Sequence, residues 1–250
     1  MTVPCERANT MDAMWLSDRL MIRRARAHDA EAIADIARAV NVHDFSRYGR
    51  GFIVYTLSAR EYAERTLNWS CVYLFIREGR TVGYVCGCRE SELQYSLSAG
   101  ALDHQPCVCG TIQRMAQERR DKHYLFLEQI AILPEFQDRG IGEVCFCWFC
   151  DRHAAPFYVG MLEGPVRNPR IDYWQKRGFE RIGQATESLP ERFLCSPTEP
   201  AASRRLLWGI YILSDRSFRP MRGRVLGDAL ERASRVGAPA STGANEEELL

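Results

Sequence analysis

The sequence is nearly without net charge: 33 basic residues meet 32 acidic ones, leaving +1 over 250 residues. No field of one sign is available to draw the chain to nucleic acid or to an anionic membrane, and neither is expected as a partner. Long apolar runs are also missing. None approaches the about 20 residues that a bilayer-spanning helix needs. The opening "MTVPCERANTMDAMWLSDRL" lacks the continuous apolar core of a secretory leader. An intracellular, cytoplasmic chain is the expectation. There is no internal repeat.

Cysteine, by contrast, is plentiful, with ten residues. They cluster as Cys86-x-Cys88, Cys107-x-Cys109 and Cys145-x-Cys147-x-x-Cys150. Structural zinc sites need two Cys-x-x-Cys pairs, or one pair with spaced histidines. Only Cys147 and Cys150 have that spacing, and they lie in an apolar run that reads as helix. No metal is expected; the cysteines read as small buried hydrophobes kept as thiols.

The apolar pattern orders the chain as β-α-α-β-β followed by β-α-β-α-β-β. Met21–Ala25 suits a short strand, and Asp29 starts a helix whose buried face is Ile33, Ile36, Ala37 and Val40. Ser58-x-x-Glu61 is a capping-box signature for a second helix. "CVYLFIREGRTVGYVCGC" reads as an antiparallel hairpin turning at Glu78-Gly79. From Glu90 to Lys122 the chain reads as irregular, with a polar helix from Thr111. "YLFLEQIAILP" is the clearest strand, stopped by Pro134. Beyond it, Ile141, Val144, Cys145, Trp148 and Phe149 fall on one wide helix face. "PFYVGML", "FERIGQAT" and "RRLLWGIYIL" are further strands, and "NPRIDYWQKRGF" a short helix ended by Gly178. A mixed sheet with helices on both faces fits this order. Past Asp215 a helix over Val225–Ala233 precedes a polar tail expected to be disordered.

The stretch "PEFQDRGIGEV" joins the clearest strand to a helix through Gly140 and Gly142. One reading is a glycine turn into a core helix. The other is a phosphate cradle, because free N–H groups and a positive dipole end meet at a helix start. A Walker A loop is excluded, since Glu143 follows Gly142 where lysine is required. The dinucleotide fingerprint is excluded as well, since Cys145 stands where its third glycine belongs.

"LEQIAILPEFQDRGIG" resembles the acyl-CoA loop of the GNAT superfamily of N-acetyltransferases. Gln137-Asp138-Arg139-Gly140-Ile141-Gly142 matches that family's Gln/Arg-x-x-Gly-x-Gly/Ala motif, and Ile130-Ala131-Ile132 matches the strand end before it. "NPRIDYWQKRGFERIG" resembles the next helix of the family, and "IRRARAHDAEAIADIA" its opening strand and helix. The resemblance runs from about Met21 to Ser214. It divides the chain into an extension over residues 1–20, an acetyltransferase domain over 21–214 with an insertion at about 90–122, and a tail over 215–250.

The resemblance implies an α/β (α+β) GNAT fold, its mostly antiparallel sheet splayed between the strands at Leu125–Leu133 and Phe157–Met161. Acetyl-CoA is the implied co-substrate. Its pantetheine arm would pair with the backbone of Ile130, Ala131 and Ile132. Its pyrophosphate would sit on the N–H groups of Asp138, Arg139, Gly140, Ile141, Gly142 and Glu143, with Gln137 and Asn168 as further contacts. Transfer to an amine needs a base, because alkyl amines are mostly protonated at pH 7. Glu128, on the strand entering the site, and Glu163, five residues before Asn168, are the two candidates. The N–H of Ile132 is the implied oxyanion donor. Many relatives have a tyrosine four residues before the glycine of Gly-Phe; here that position is Trp174, which is a hydrogen-bond donor but no acid. Tyr173, one residue earlier, should point about 100° away.

Two functions follow: an N-acetyltransferase acting on a primary amine, or a catalytically silent acyl-CoA-binding sensor or interaction module. A zinc module built on the cysteines is a third reading. The acceptor class stays open between a small-molecule amine and a protein N-terminus, and so does a homodimer. Phe45, Tyr48 and Tyr55 are aromatic residues able either to cover an acceptor or to fill the core.

Overall fold

The computed structural model describes residues 13–16, 19–41, 53–98, 106–153, 156–188 and 205–214. Phe45, Tyr48, the chain beyond Ser214 and most of the first twenty residues lie outside them. Eight strands are present among the described residues: β1 (Ala13–Trp15), β2 (Leu20–Arg24), β3 (Cys71–Arg77), β4 (Arg80–Arg89), β5 (Leu125–Ile132), β6 (Phe157–Gly164), β7 (Glu180–Ser188) and β8 (Arg205–Leu213). They form one sheet in the order β1-β2-β3-β4-β5-β6-β8-β7. Every neighbouring pair is antiparallel except β5 and β6. Six α-helices among the described residues accompany it: α1 (Ala30–Ala39), α2 (Ala59–Asn68), α3 (Glu90–Ser98), α4 (Pro106–Arg119), α5 (Ile141–His153) and α6 (Ile171–Gln175).

Strand alternation builds two cores. Along β3, Val72, Leu74 and Ile76 join the α1, α2 and α4 residues Ile33, Tyr62 and Val108, while Cys71, Tyr73 and Phe75 join the α5 residues Val144, Phe146 and Phe149. Helices therefore cover both faces. α5 is buried more widely than one apolar stripe requires: Phe146, Cys147 and Cys150 are buried alongside Ile141, Val144, Cys145 and Phe149.

Local signals account for several boundaries. The Ser58 hydroxyl accepts a hydrogen bond from the Glu61 N–H, and the Glu61 carboxylate accepts one from the Ser58 N–H, which closes the capping box at α2. Glu78 and Gly79, at φ 50° and 78°, make the two-residue turn between β3 and β4. Asp29 caps α1 and accepts two hydrogen bonds from the Arg23 guanidinium, at 2.7 and 2.6 Å.

Three features depart from the sequence reading. β1 is a strand that the pattern did not reveal; it pairs with β2 from Ala13↔Arg23 to Trp15↔Met21. The stretch expected to be irregular holds α3, and α4 begins at Pro106 rather than near Thr111. Proline at a first helical position already has a helical φ and lacks an N–H that would otherwise go unmet. β2 also begins one residue earlier than expected, at Leu20.

Candidate active site

β5 and β6 pair only at Leu125↔Phe157 and Phe126↔Tyr158, and then part. A cavity of 390 Å³ opens between them. Its walls come from both strands, from the loop before α5, from α6, and from Val54, Tyr55 and Trp208. The splay is the one implied by the family resemblance.

The loop forms one end. Asp138 and Gly140 both have positive φ, at 60° and 77°. Glycine reaches this region without strain, and a short polar side chain such as aspartate is the next best tolerated. The chain then enters α5, with the Val144 N–H donating to the Gly140 carbonyl. The N–H groups of Gly140, Ile141, Gly142 and Glu143 precede the first full turn, so no carbonyl of the helix can serve them. A Cβ at Gly142 would lie 3.3 Å from Cγ1 of Ile132. Backbone donors at a helix start suit an anion.

Ile130, Ala131, Ile132, Gln137, Asp138, Gly140, Gly142, Glu143 and Asn168 all line the cavity. Ile141 instead packs into the α5 core, and the Arg139 guanidinium sits 5.7 Å from the Phe136 ring centroid. Gln137 donates from Nε2 to the Ile132 carbonyl at 2.8 Å, tying the loop to the end of β5. Asn168 accepts from the Arg170 N–H through Oδ1, at 3.0 Å, and organises the turn into α6.

Two arginines that the sequence did not single out complete this end. Arg170 binds Asp138 at 2.6 Å, and Arg177 binds Glu143 at 2.8 and 2.5 Å. The Arg177 guanidinium also lies 3.4 Å from the Tyr173 ring centroid. Burial first, then the Glu143 charge, pushes the Tyr173 phenol up from its ordinary range. Trp174 packs edge-on against Phe146 at 4.7 Å and Phe179 at 5.8 Å. Both Tyr173 and Trp174 line the cavity.

The two candidate carboxylates are set differently. At Glu128 the β4–β5 register slips: Cys86 faces Gln129 and Gly87 faces Leu127, leaving Glu128 as the extra residue of a bulge. A bulge re-aims side chains. Glu128 and Gln129, though consecutive, both turn toward α2. Gln129 accepts from the Tyr62 and Tyr84 hydroxyls at 2.8 and 2.7 Å and donates to the Tyr55 carbonyl at 2.8 Å. Glu128 accepts from Arg65 Nε and Nη2 and from the Cys86 thiol. The Arg65 and Glu128 side chains are 2% and 0% exposed. Burial pulls the Arg65 pKa down, but the Glu128 charge outweighs it and the net shift is upward. Glu128 lines the cavity. Glu163 stands apart from its walls, gripped by Nε and Nη2 of Arg181 at 2.7 and 2.8 Å and by the Tyr211 hydroxyl at 2.7 Å. The Arg181 grip holds the Glu163 carboxyl below its usual range, against burial.

Neither a family model nor a curated protein sequence matches the chain. Solved structures do. An agmatine N-acetyltransferase superposes with a TM-score of 0.53 at 11% identity, covering 79% of this chain and 100% of the other. The polyamine N-acetyltransferase of Drosophila melanogaster gives 0.51 at 11% identity, covering 78% and 99%. A mosquito arylalkylamine N-acetyltransferase-like protein gives 0.51 at 9%, covering 78% and 100%. The chain has the GNAT fold. Within that fold, the splayed strand pair and the glycine loop of this chain stand together at one cavity.

No described cysteine lines the cavity, although the Cys86 thiol reaches Glu128 behind its wall. Eight described cysteines are free thiols, and all but Cys107 are buried. Burial raises the Cys71 thiol to about 11 and the Cys147 thiol to about 12, far from reactive thiolates. No three potential metal ligands gather among the described residues. No described helix is long and apolar enough to cross a membrane.

Proposed function

We propose that this GNAT-fold chain is an acetyl-CoA-dependent N-acetyltransferase for primary amines. One observation carries the reading. The β5–β6 splay, the cradle before α5 and the Glu128 bulge open into a single cavity. The solved structures named above are called acetyltransferases of agmatine, polyamines or arylalkylamines, and they support the reading at the level of fold.

In this reading the N–H groups from Asp138 to Glu143 hold the pyrophosphate, and Arg170 and Arg177 add positive charge beside it. The free edge of β5 at Ile130–Ile132 receives the pantetheine arm as an added strand would. The Ile132 carbonyl is already occupied by Gln137, which leaves the Ile132 N–H to polarise the thioester carbonyl. The acceptor enters from the Tyr55–Trp208 side. Its amine nitrogen forms the new C–N bond as the C–S bond breaks. Entry of the acceptor opens the Glu128 carboxylate, closed to solvent in the structure, to take the ammonium proton, and the thiolate leaves to take a proton from solvent. Glu163 is the alternative base. Trp174, packed between phenylalanines, keeps no acid at the position where many relatives have tyrosine.

The test is CoA release by the purified chain from acetyl-CoA over an amine panel, beside direct measurement of acetyl-CoA binding. Turnover with at least one amine supports the proposal. Saturable acetyl-CoA binding with no turnover on any amine or N-terminal peptide supports the silent sensor instead.

A further inference from the structure

We infer that the acceptor is a monoamine on an apolar, ring-sized body bearing one hydrogen-bond acceptor, and that the indole N–H of Trp208 reads that acceptor. This deepens the acetyl-transfer reading and rests on it for the identity of the reacting group.

Charge is the first argument. Three described carboxylates line the cavity, and each is matched by an arginine: Glu128 by Arg65, Asp138 by Arg170 and Glu143 by Arg177. Among the described cavity-lining residues, a second ammonium group, as in a polyamine, would meet only arginine-compensated carboxylates. A site of this kind discriminates against polycations by what it withholds.

Shape is the second. On the α2 side of the sheet the cavity wall is apolar and aromatic: Val40, Ile53, Tyr55, Leu162 and Trp208. The Tyr55 and Trp208 rings stack at 5.9 Å with 23° between their planes. Such a wall suits a flat apolar body. It also favours the neutral, nucleophilic form of the amine, because low polarity disfavours the ammonium.

The third argument is an unmet donor. Polar groups at this end are otherwise engaged with one another. The Tyr55 hydroxyl donates to Glu187 at 2.9 Å, and Gln129 uses both ends of its amide. Trp208 Nε1 is buried, and among the described residues it has no hydrogen-bond partner. A buried N–H left unmet is uncommon and is a natural place for a ligand oxygen.

The experiment uses the full chain with CoA bound and measures equilibrium binding of four amines by calorimetry: phenethylamine, para-methoxyphenethylamine, agmatine and spermidine. The expected result is at least about tenfold tighter binding of the aromatic monoamines than of the polycations, with the methoxy compound the tightest. In Trp208→Phe, the methoxy compound should lose about fivefold to tenfold in affinity, the worth of one hydrogen bond, while phenethylamine changes little. Equal or tighter polycation binding, or equal binding of the two aromatic amines to the unaltered chain, overturns the inference. So does an equal loss of both in Trp208→Phe. The unaltered-chain comparison decides even if the variant folds poorly. CoA release is measured separately: selective binding without release on any amine defeats the acetyl-transfer reading and leaves the selectivity standing.

Discussion

Nε of Arg65 lies 3.1 Å from Oε2 of Glu128, and both side chains are shut away from solvent. Sixty-three residues of sequence separate them, so α2 and β5 must be in place before either charge has its partner. Such a pair adds little net stability compared with an apolar pair, but breaking one side of it is costly. Arg65→Met should lower unfolding stability by about 3 to 5 kcal/mol, because a carboxylate stays buried alone. Arg65→Met with Glu128→Leu should recover most of that loss in denaturant melts and still release no CoA. A double variant as unstable as the single one contradicts this account of the pair.

The two carboxylates separate by position. Glu128 lines the cavity, while Glu163 stands outside its walls in the grip of Arg181 and Tyr211. Glu128→Gln should reduce kcat by about a hundredfold or more, within the usual range for a general base. Acetyl-CoA affinity should hold. Glu163→Gln should leave kcat within about threefold. The reverse ranking would transfer the role of base to Glu163.

The legible parts of this chain were those written in short spans. The capping box at Ser58 and Glu61 needs four residues, the turn at Glu78-Gly79 two, and the loop from Gln137 to Gly142 six. Each is fixed by local backbone chemistry. What stayed hidden depends on partners distant in sequence. β1 is three residues with an exposed pattern, defined only by its pairing with β2. α3 has Ser, Glu and Gln among few apolar residues, so no strong stripe announces it. The bulge at Glu128 is a property of two strands in register, and neither strand alone reveals it. Arg170, Arg177 and Trp208 line the cavity, and Arg65 pairs with Glu128 behind its wall, through contacts across the fold; each alone reads as an ordinary helix, turn or strand residue.

Gly142 tests the cradle directly. An added Cβ would come within 3.3 Å of Ile132 Cγ1, a contact that a small shift of the isoleucine can absorb. Gly142→Ala should therefore fold normally and weaken acetyl-CoA binding modestly. Gly142→Trp places an indole in the space before the N–H groups at the helix start and should abolish detectable binding. Its melting temperature should stay within a few degrees, since the position opens onto a cavity. Unchanged acetyl-CoA affinity in a folded Gly142→Trp protein would falsify the cradle.

His153 sets an acid limit on stability, far from the cavity. It closes α5 against the Phe149 ring at 4.8 Å and the Tyr73 ring at 5.8 Å, and its Nδ1 is 3.8 Å from the Cys71 sulfur. Its Nε2 is buried with no partner among the described residues. Burial, aided by the charges of Arg89 and Arg152, lowers its pKa from 6.5 to about 4. The sign follows from proton counts. Below about 6.5 the unfolded chain binds a proton here that the folded chain refuses, so stability falls as pH falls, until the folded imidazole also protonates near 4. The loss attributable to this group between pH 7 and pH 4.5 is about 2 to 3 kcal/mol. His153→Phe keeps an aromatic ring at the site and removes the titration. Denaturant melts across that range should show the unaltered chain losing about 2 kcal/mol more than the variant. Parallel stability curves would mean that His153 is protonated as readily in the folded chain as in the unfolded one.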